Sequence, residues 1–289
     1  MPDHSNTLPG FAKPTTARRT VALVAAAVLI AGLVGVGTQT TPEAQGGPKP
    51  TAAPITEPPL LDNTLYRAGR VPPVSCQLPN DLLESRAAVL GYARVMVACL
   101  DRGWGPMLAH LGFHFYPPSF DASEDPTSSA CGPSDDAVAF YCSMNNTIYF
   151  DWAQYVSKDR SQQPWLQGAV MEVVAHEYGH HVQELVSIGT YFDDRYEQAT
   201  GDTRLQDSRR MELQASCFAA AFLGANRQAL DLQGERLAGL QDAEYSGDEW
   251  GEPRDHGSTK NNKSWTRDAF KSADPGSCNT WTASPERVS

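Results

Sequence analysis

The sequence predicts an α+β fold that is mainly helical, contains a small β-sheet and follows an N-terminal transmembrane helix. Three observations lead to this prediction. Several long segments have apolar residues at helical spacing, and three short segments are rich in aromatic and β-branched residues. Near the N-terminus, residues 20–38 carry no charged side chain and are almost entirely apolar, as is typical of a membrane-spanning helix.

The apolar run divides the chain into four predicted regions. Basic residues precede it, so the positive-inside rule assigns residues 1–19 to the cytoplasm and the bulk of the chain to the outside of the cell membrane. No good small-residue cleavage site follows, so residues 20–38 are expected to remain as a single-pass signal anchor, with a cleaved signal peptide as the alternative. Residues 39–60 contain six prolines and predict an extended linker. A folded domain is then expected over residues 61–289.

Charge and cysteine content limit the possible partners and compartments. A formal net charge of −11 over 289 residues argues against nucleic acid as a partner. All six cysteines follow the apolar run and none has C-x-x-C spacing, so disulfides in an oxidising compartment are expected. Cys76 and Cys99 bracket a predicted helix and are expected to pair, as are Cys131 and Cys142 across a loop. The sequence does not define an oligomeric state.

The predicted elements place long helices downstream of the short strands. Helices are expected at residues 79–99, 164–186, 203–223 and 227–244, with a short one around 265–271. Strands are expected at residues 112–116, 138–142 and 147–150, with a turn at 143–146. Gly179 lies inside the second helix, where glycine costs about 1 kcal/mol relative to alanine. We therefore expect another element to pack closely at Gly179.

His176, Glu177 and His180 form the motif H-E-x-x-H inside the predicted helix 164–186. Residues four apart share one helix face, so both imidazoles can reach one metal ion. Glu177 is close enough to take a proton from metal-bound water, and zinc suits this chemistry because it lowers the pKa of its water to about 7. The alternative is an amphipathic helix with histidines on its solvent-exposed face. Apolar residues on more than one side of the helix argue against that alternative.

A catalytic zinc ion needs a third protein ligand. A histidine six residues after His180 is excluded, because Val186 occupies that position. Two alternatives remain open from the residues alone. Asp193 or Asp194 could serve from the segment that follows the zinc helix, and Glu212 could serve from the next helix.

The chain resembles the neutral zinc metallopeptidases of bacteria. The resemblance covers about residues 76–281, and it is carried by Cys131–Gly132, Phe140–Cys142, Tyr149–Asp151, Ala175–Gln183, Arg210–Ala219, His256–Ser258 and Trp265. It implies a zincin fold, a zinc cofactor, a protein or peptide substrate, and Glu212 as the third ligand. His256 becomes a candidate catalytic residue that would hydrogen-bond the developing oxyanion, with a surface-loop histidine as the alternative. His181, on another side of the helix, is expected to be structural.

The chain departs from the family at Ser216, where the family has aspartate. This position is four residues after Glu212 and on the same helix face, where an aspartate could orient a zinc-bound imidazole. Serine can accept a hydrogen bond but carries no charge, so the departure predicts weaker catalysis without loss of zinc. Cys217 lies about 140° around the helix from Glu212, which leaves it free to pair with Cys278.

Together these observations predict a membrane-anchored, extracytoplasmic zinc peptidase that hydrolyses peptide bonds with a zinc-activated water. One alternative is a catalytically weak zinc-binding protein of the cell surface that binds or scaffolds partners. Another is a hydrolase of a non-peptide amide, such as a cell-wall bond. For a peptidase, an extended substrate is expected to pair with a strand edge at residues 141–145 or 147–150.

Overall fold

A computed structural model describes residues 55–122, 129–132, 138–244 and 254–289. The predicted cytoplasmic tail, the predicted anchor at residues 20–38 and most of the predicted linker lie outside these residues. Within the described ranges, no helix combines the length and apolar character that crossing a bilayer requires.

The described residues form a mainly helical α+β structure with a small sheet, as predicted. Seven helices are present among them, namely α1 (Pro58–Leu61), α2 (Arg86–His110), α3 (Gln163–Leu185), α4 (Ile188–Gln198), α5 (Gly201–Ala225), α6 (Gly234–Glu244) and α7 (Thr259–Ser272). Three strands are present, namely β1 (Ser119–Asp121), β2 (Ala139–Cys142) and β3 (Thr147–Phe150). The predicted positions of α3, α5, β2 and β3 are therefore confirmed to within a few residues.

The sheet has the strand order β1-β3-β2. β3 is buried at its centre, β1 pairs with it in parallel, and β2 pairs with it antiparallel with Phe140 opposite Tyr149. The strand predicted at residues 112–116 is wrong. Pro117 and Pro118 follow that segment and have no N–H to donate, so pairing begins only at Ser119, opposite Thr147.

Two predicted helix boundaries are also wrong. The first long helix begins after Ser85, whose side chain accepts a hydrogen bond from the Ala88 N–H, and it continues beyond Cys99 to His110 through Pro106. Proline removes one backbone hydrogen bond, but buried neighbours on both sides of Pro106 keep this part of α2 packed in the core. The predicted helix at 227–244 begins only at Gly234, because Asp231 and Gly234 have positive φ angles of 49° and 52°.

The packed structure begins a few residues before the expected boundary at residue 61. Pro58 and Pro59 start α1, where their missing N–H groups cost little, and they lead into the fully buried Leu60. Glu57 forms an ion pair of 3.1 Å with the buried Arg195 on α4. The end of the proline-rich segment is thus part of the folded domain.

Helix α3 lies at the centre of the domain and is packed closely by its neighbours. A Cβ atom at Gly179 would lie 2.5 Å from the Ala215 carbonyl oxygen on α5, which confirms the expected close packing. A Cβ atom at Gly168 would lie 1.9 Å from the Arg236 carbonyl oxygen on α6. All three predicted disulfides, Cys76–Cys99, Cys131–Cys142 and Cys217–Cys278, are present.

Candidate metal centre

The structure brings His176, His180 and Glu212 together, although Glu212 follows His180 by 32 positions in the sequence. Their candidate ligand atoms all lie within 4.8 Å of one another. The Nε2 atoms of His176 and His180 are 3.2 Å and 3.3 Å from the same Glu212 oxygen, Oε2. The close approach of α3 and α5 at Gly179 allows this convergence. Two imidazole nitrogens and a carboxylate are a donor set that suits a catalytic zinc ion.

The orientation of the His180 ring is fixed by a buried glutamine. His180 Nδ1 lies 2.9 Å from Gln183 Oε1, and Gln183 Nε2 donates to the Met211 carbonyl at 2.9 Å and to Gln214 Oε1 at 3.1 Å. Since the amide nitrogen of Gln183 already faces two acceptors, its oxygen must face His180. The hydrogen of the neutral His180 ring therefore sits on Nδ1, which leaves Nε2 as the atom able to bind a metal.

Gln183 is one member of a buried amide network that extends to the C-terminal segment. Gln214 Nε2 donates to the Tyr66 hydroxyl at 2.9 Å and to the Cys278 carbonyl at 3.0 Å, while Trp281 Nε1 donates to Gln214 Oε1. Both glutamine side chains are fully buried. Sequence analysis missed them. A sequence signal for them exists. Gln183 follows His180 by three residues and Gln214 follows Glu212 by two, and both lie on predicted helices.

Ser216 occupies the place expected for the family's aspartate. Its Oγ lies 3.0 Å from His176 Nδ1, so position 216 contacts one of the two candidate zinc histidines. A hydroxyl can donate or accept, so Ser216 does not by itself fix which His176 nitrogen carries the hydrogen. The weaker support of a zinc-bound imidazole that is expected from serine, relative to aspartate, thus concerns His176. His180 is oriented independently by Gln183.

Opposite charges dominate the electrostatics of the cluster. Burial lowers the pKa of His180, but the adjacent Glu212 carboxylate outweighs burial and raises this pKa to about 9. Burial likewise raises the pKa of Glu212, but His180 and His176 overcome it and hold this pKa well below its usual range. Metal ligands must be deprotonated, so metal binding at this cluster has to release a proton from His180.

Glu177 lies beside this cluster and is only 7% exposed. Burial raises the pKa of Glu177 and the nearby Glu212 adds to the rise, whereas His176, His180 and a hydrogen bond from the Tyr141 backbone oppose it. A raised carboxyl pKa brings the group nearer to the range in which a general base can also return its proton as an acid.

His256 also reaches this region. Its Nε2 atom lies 3.8 Å from Glu212 Oε2, and its Nδ1 atom lies 2.8 Å from Asp255 Oδ1. The side chain is 56% exposed, so it stands at the rim of the cluster. Asp193 and Asp194 lie on α4, and in the described part of the chain they do not belong to the group of side chains close enough to share an ion.

The opposite sides of α3 carry other buried polar groups. His181 is fully buried, and burial lowers its pKa to about 4, so its ring is neutral. Glu172 and Glu244 are both buried. Burial raises the pKa of Glu172 well above its usual range, and the nearby Glu244 adds to the rise. Burial raises the pKa of Glu244 to about 8 against a hydrogen bond from Thr266.

Two histidines one helical turn apart, an adjacent glutamate and a carboxylate from a second helix are the arrangement found in metallopeptidases with a His₂Glu zinc site. The chain belongs to the family described as "Putative neutral zinc metallopeptidase", which it matches over residues 76–281. This match confirms the resemblance found in the sequence.

Two relatives show how far the similarity extends. The chain is 30% identical over 205 residues to the uncharacterized protein YpfJ of Escherichia coli K12, a match that covers 66% of this chain and 70% of YpfJ. It is 27% identical over 228 residues to the uncharacterized protein Rv2575 of Mycobacterium tuberculosis H37Rv, which covers 71% of this chain and 72% of Rv2575. No solved structure matches the chain.

Proposed function

We propose that this protein is a membrane-anchored zinc peptidase that cleaves peptide bonds outside the cytoplasm, with His176, His180 and Glu212 as the zinc ligands. The observation that carries the proposal is the convergence of these three side chains beside the buried Glu177. The family supports zinc and a peptide or protein substrate. Three disulfides support an oxidising compartment, and the apolar run at residues 20–38 supports the anchor.

Each residue of the site has a distinct role in the proposed reaction. Bound zinc would polarise the scissile carbonyl and lower the pKa of the attacking water. Glu177 takes the proton from that water and then delivers it to the leaving amine, which its raised pKa favours. His256, oriented by Asp255, hydrogen-bonds the oxyanion as the tetrahedral centre forms.

Strand β2 is the proposed docking edge for the substrate. β3 is central in the sheet, so of the two expected segments the one that starts at Tyr141 lies on a strand with an open edge among the described residues, although β2 ends at Cys142 and residues 143–146 form a turn. The Asp151 N–H donates to the Val138 carbonyl at 2.8 Å, so in the antiparallel alternation Phe140 faces β3 while Ala139 and Tyr141 turn their backbone groups outward. The Tyr141 backbone lies near enough to Glu177 to lower the pKa of its carboxyl, which supports a docking edge beside the proposed base.

One observation favours a second candidate function. Ser216 stands where the family has an aspartate, and its contact with His176 Nδ1 is uncharged. Loss of a group that hydrogen-bonds a metal ligand typically lowers activity or metal affinity by 10–100-fold. A less basic His176 imidazole would therefore favour a zinc-binding surface protein with little catalysis. The retained Glu177 favours the peptidase.

The decisive experiment compares the wild-type full chain with Glu177→Gln. We expect one zinc ion per chain in both proteins by elemental analysis, because Glu177 is not a ligand. In a mixed peptide library analysed by mass spectrometry, the wild type should cleave, and Glu177→Gln should lose about 10²- to 10⁴-fold in rate. A chelator should abolish cleavage and added zinc should restore it. Zinc without cleavage in the wild type would favour the second function, and absence of zinc would refute both.

A further inference from the structure

His181 joins three parts of the chain at the back of the zinc helix. Its Nε2 atom lies 2.9 Å from the Tyr116 carbonyl oxygen, and its Nδ1 atom lies 3.2 Å from the Tyr141 hydroxyl. A carbonyl oxygen can only accept, so Nε2 carries the hydrogen of the neutral ring and Nδ1 accepts from Tyr141. The hydrogen-bond direction is thus fixed, with strand β2 donating to α3.

Aromatic side chains hold the His181 ring in this orientation. The ring centroids of Tyr116, Tyr141 and Tyr178 lie 5.7 Å, 5.5 Å and 5.3 Å from that of His181. Tyr178 is itself fixed from behind, since its hydroxyl donates to Asp101 on α2 at 2.7 Å. His181 therefore has little freedom to rotate away from Tyr141.

Tyr141 contacts α3 at two points that are one helical turn apart. Its hydroxyl contacts His181, and its backbone lies near Glu177. The same hydroxyl lies 3.0 Å from Asn146 Oδ1, so its single hydrogen is shared between the β2–β3 turn and the helix. Among the described residues, β3 is the strand that pairs with β2, so the contacts that Tyr141 makes with α3 help to set the distance of β2 from the zinc helix.

We propose that Tyr141 and His181 are positioning residues that hold the open edge of β2 at the distance from Glu177 needed for an extended peptide to bind. This inference rests on the proposed peptidase function. Neither side chain takes part in bond cleavage. Loss of their contact leaves the zinc ligands in place but lets the strand edge move, so the penalty should fall on peptides long enough to pair with β2.

The test uses three variants of the full chain. Tyr141→Phe removes the hydroxyl, and His181→Gln keeps an N–H for the Tyr116 carbonyl while losing the acceptor at Nδ1. Tyr149→Phe is the matched control, because it removes a hydroxyl from the same sheet that bonds Asn145 instead of the zinc helix. All three should keep one zinc ion per chain.

Two readouts separate positioning from a general loss of stability. For an extended peptide, kcat/KM should fall about 10-fold in Tyr141→Phe and His181→Gln, mainly through KM, and change less than about 2-fold for a short peptide that does not reach β2. Amide hydrogen exchange in residues 139–142 should become about 10-fold faster in both variants and stay unchanged in Tyr149→Phe.

The outcomes distinguish this inference from the proposed function. If the wild type cleaves peptides but Tyr141→Phe and His181→Gln match Tyr149→Phe in exchange and in the ratio of long to short peptides, the positioning role is refuted. If the wild type cleaves no peptide, the proposed function fails. The exchange comparison then still decides whether Tyr141 and His181 fix the strand.

Discussion

Two sides of helix α3 are alike in packing and different in charge. Each packs closely against another helix at a glycine, but the buried charged groups at the two interfaces differ. Toward α5, Gly179 lets the helices approach at Ala215, and His176 and His180 meet the carboxylate of Glu212. Toward α6, Gly168 lets the helices approach at the Arg236 backbone, and two acids are buried there, where burial and the nearby Glu244 raise the pKa of Glu172. Glycine contacts make both interfaces tight, but the signs of the buried charges decide what each can do.

Opposite charges make the α5 side able to exchange a proton for a metal ion, whereas burial without a positive partner makes the acids on the α6 side retain their protons. A site for a cation therefore cannot be inferred from buried carboxylates alone. It needs groups that release a proton within the working pH range and that keep a fixed orientation afterwards, as Gln183 provides for His180.

The largest expected effect comes from removing the charge partner on the α5 side. Glu212→Ala should lower zinc affinity by more than about 100-fold, since loss of a direct ligand exceeds the 10–100-fold typical of supporting groups. Zinc titration against a chromophoric chelator measures this. Asp194→Ala, at an exposed position on α4, is the control and should bind zinc normally. The reverse pattern would move the third ligand to α4.

On the α6 side, Glu244→Gln should stabilise the protein in a pH-dependent way. The folded-state pKa of Glu244 is about 8 against an ordinary value of 4.5, so its stabilising contribution is fully present below pH 4.5 and is lost as pH rises to about 8. Glutamine does not ionise, so the variant does not lose stability in this way. The gain in free energy of unfolding of Glu244→Gln over the wild type should therefore be roughly 2–4 kcal/mol larger at pH 8 than at pH 4.5.

Urea unfolding at several pH values measures this difference. Glu235→Gln, at an exposed position on the same helix, should show no such pH-dependent gain. A Glu244→Gln protein whose stability tracks the wild type at all pH values would mean that Glu244 is ionised in the folded protein, and the contrast between the two sides would disappear.

Alanine substitution at the two glycine contacts should sharpen the comparison. Gly179→Ala and Gly168→Ala should each lower the free energy of unfolding by about 1–3 kcal/mol, because the new methyl group meets backbone of the neighbouring helix. Gly91→Ala in α2, where a Cβ meets nothing within 4 Å, should be neutral or stabilising. Gly179→Ala alone should also weaken zinc binding. Equal zinc affinity in both variants would show that the α3–α5 distance does not control the site.

The smallest expected effect concerns Ser216. Ser216→Asp should tighten zinc binding and raise activity about 10-fold, because a carboxylate accepting from His176 Nδ1 makes the imidazole a stronger donor. The competing outcome is a buried, uncompensated charge, with unchanged affinity and a lower melting temperature. That result would mean that the site is adapted to serine, and the expectation of weaker catalysis would be wrong.

Sequence analysis identified those parts of the molecule that depend on local pattern. His176, Glu177 and His180 follow from spacing on one helix, whereas Glu212 was chosen over Asp193 or Asp194 through the family resemblance. The position of Ser216 against a zinc-site histidine was also anticipated. The roles of the ligands and of His256 remain predictions.

The parts that sequence analysis missed depend on partners far apart in the chain. The aromatic segment at residues 112–116 has strand composition, but its Tyr116 carbonyl bonds His181 instead of a neighbouring strand. Ser187, with a positive φ of 65°, starts a separate helix α4 where only a helix end was expected. The hydrogen bond between Gln183 and Gln214 likewise becomes visible only when α3 and α5 are placed side by side.

The ties between α5 and the C-terminal segment have a consequence for biosynthesis. Cys278 follows its disulfide partner Cys217 by 61 residues, and its carbonyl anchors Gln214, while Arg210 bonds the Thr280 carbonyl. The helix that carries Glu212 therefore gains these ties only after this late part of the chain has been synthesised and oxidised. The buried amide network behind His180 is thus completed only when the segment around Cys278 has joined α5, so the order of translation makes it one of the last parts of the domain to form.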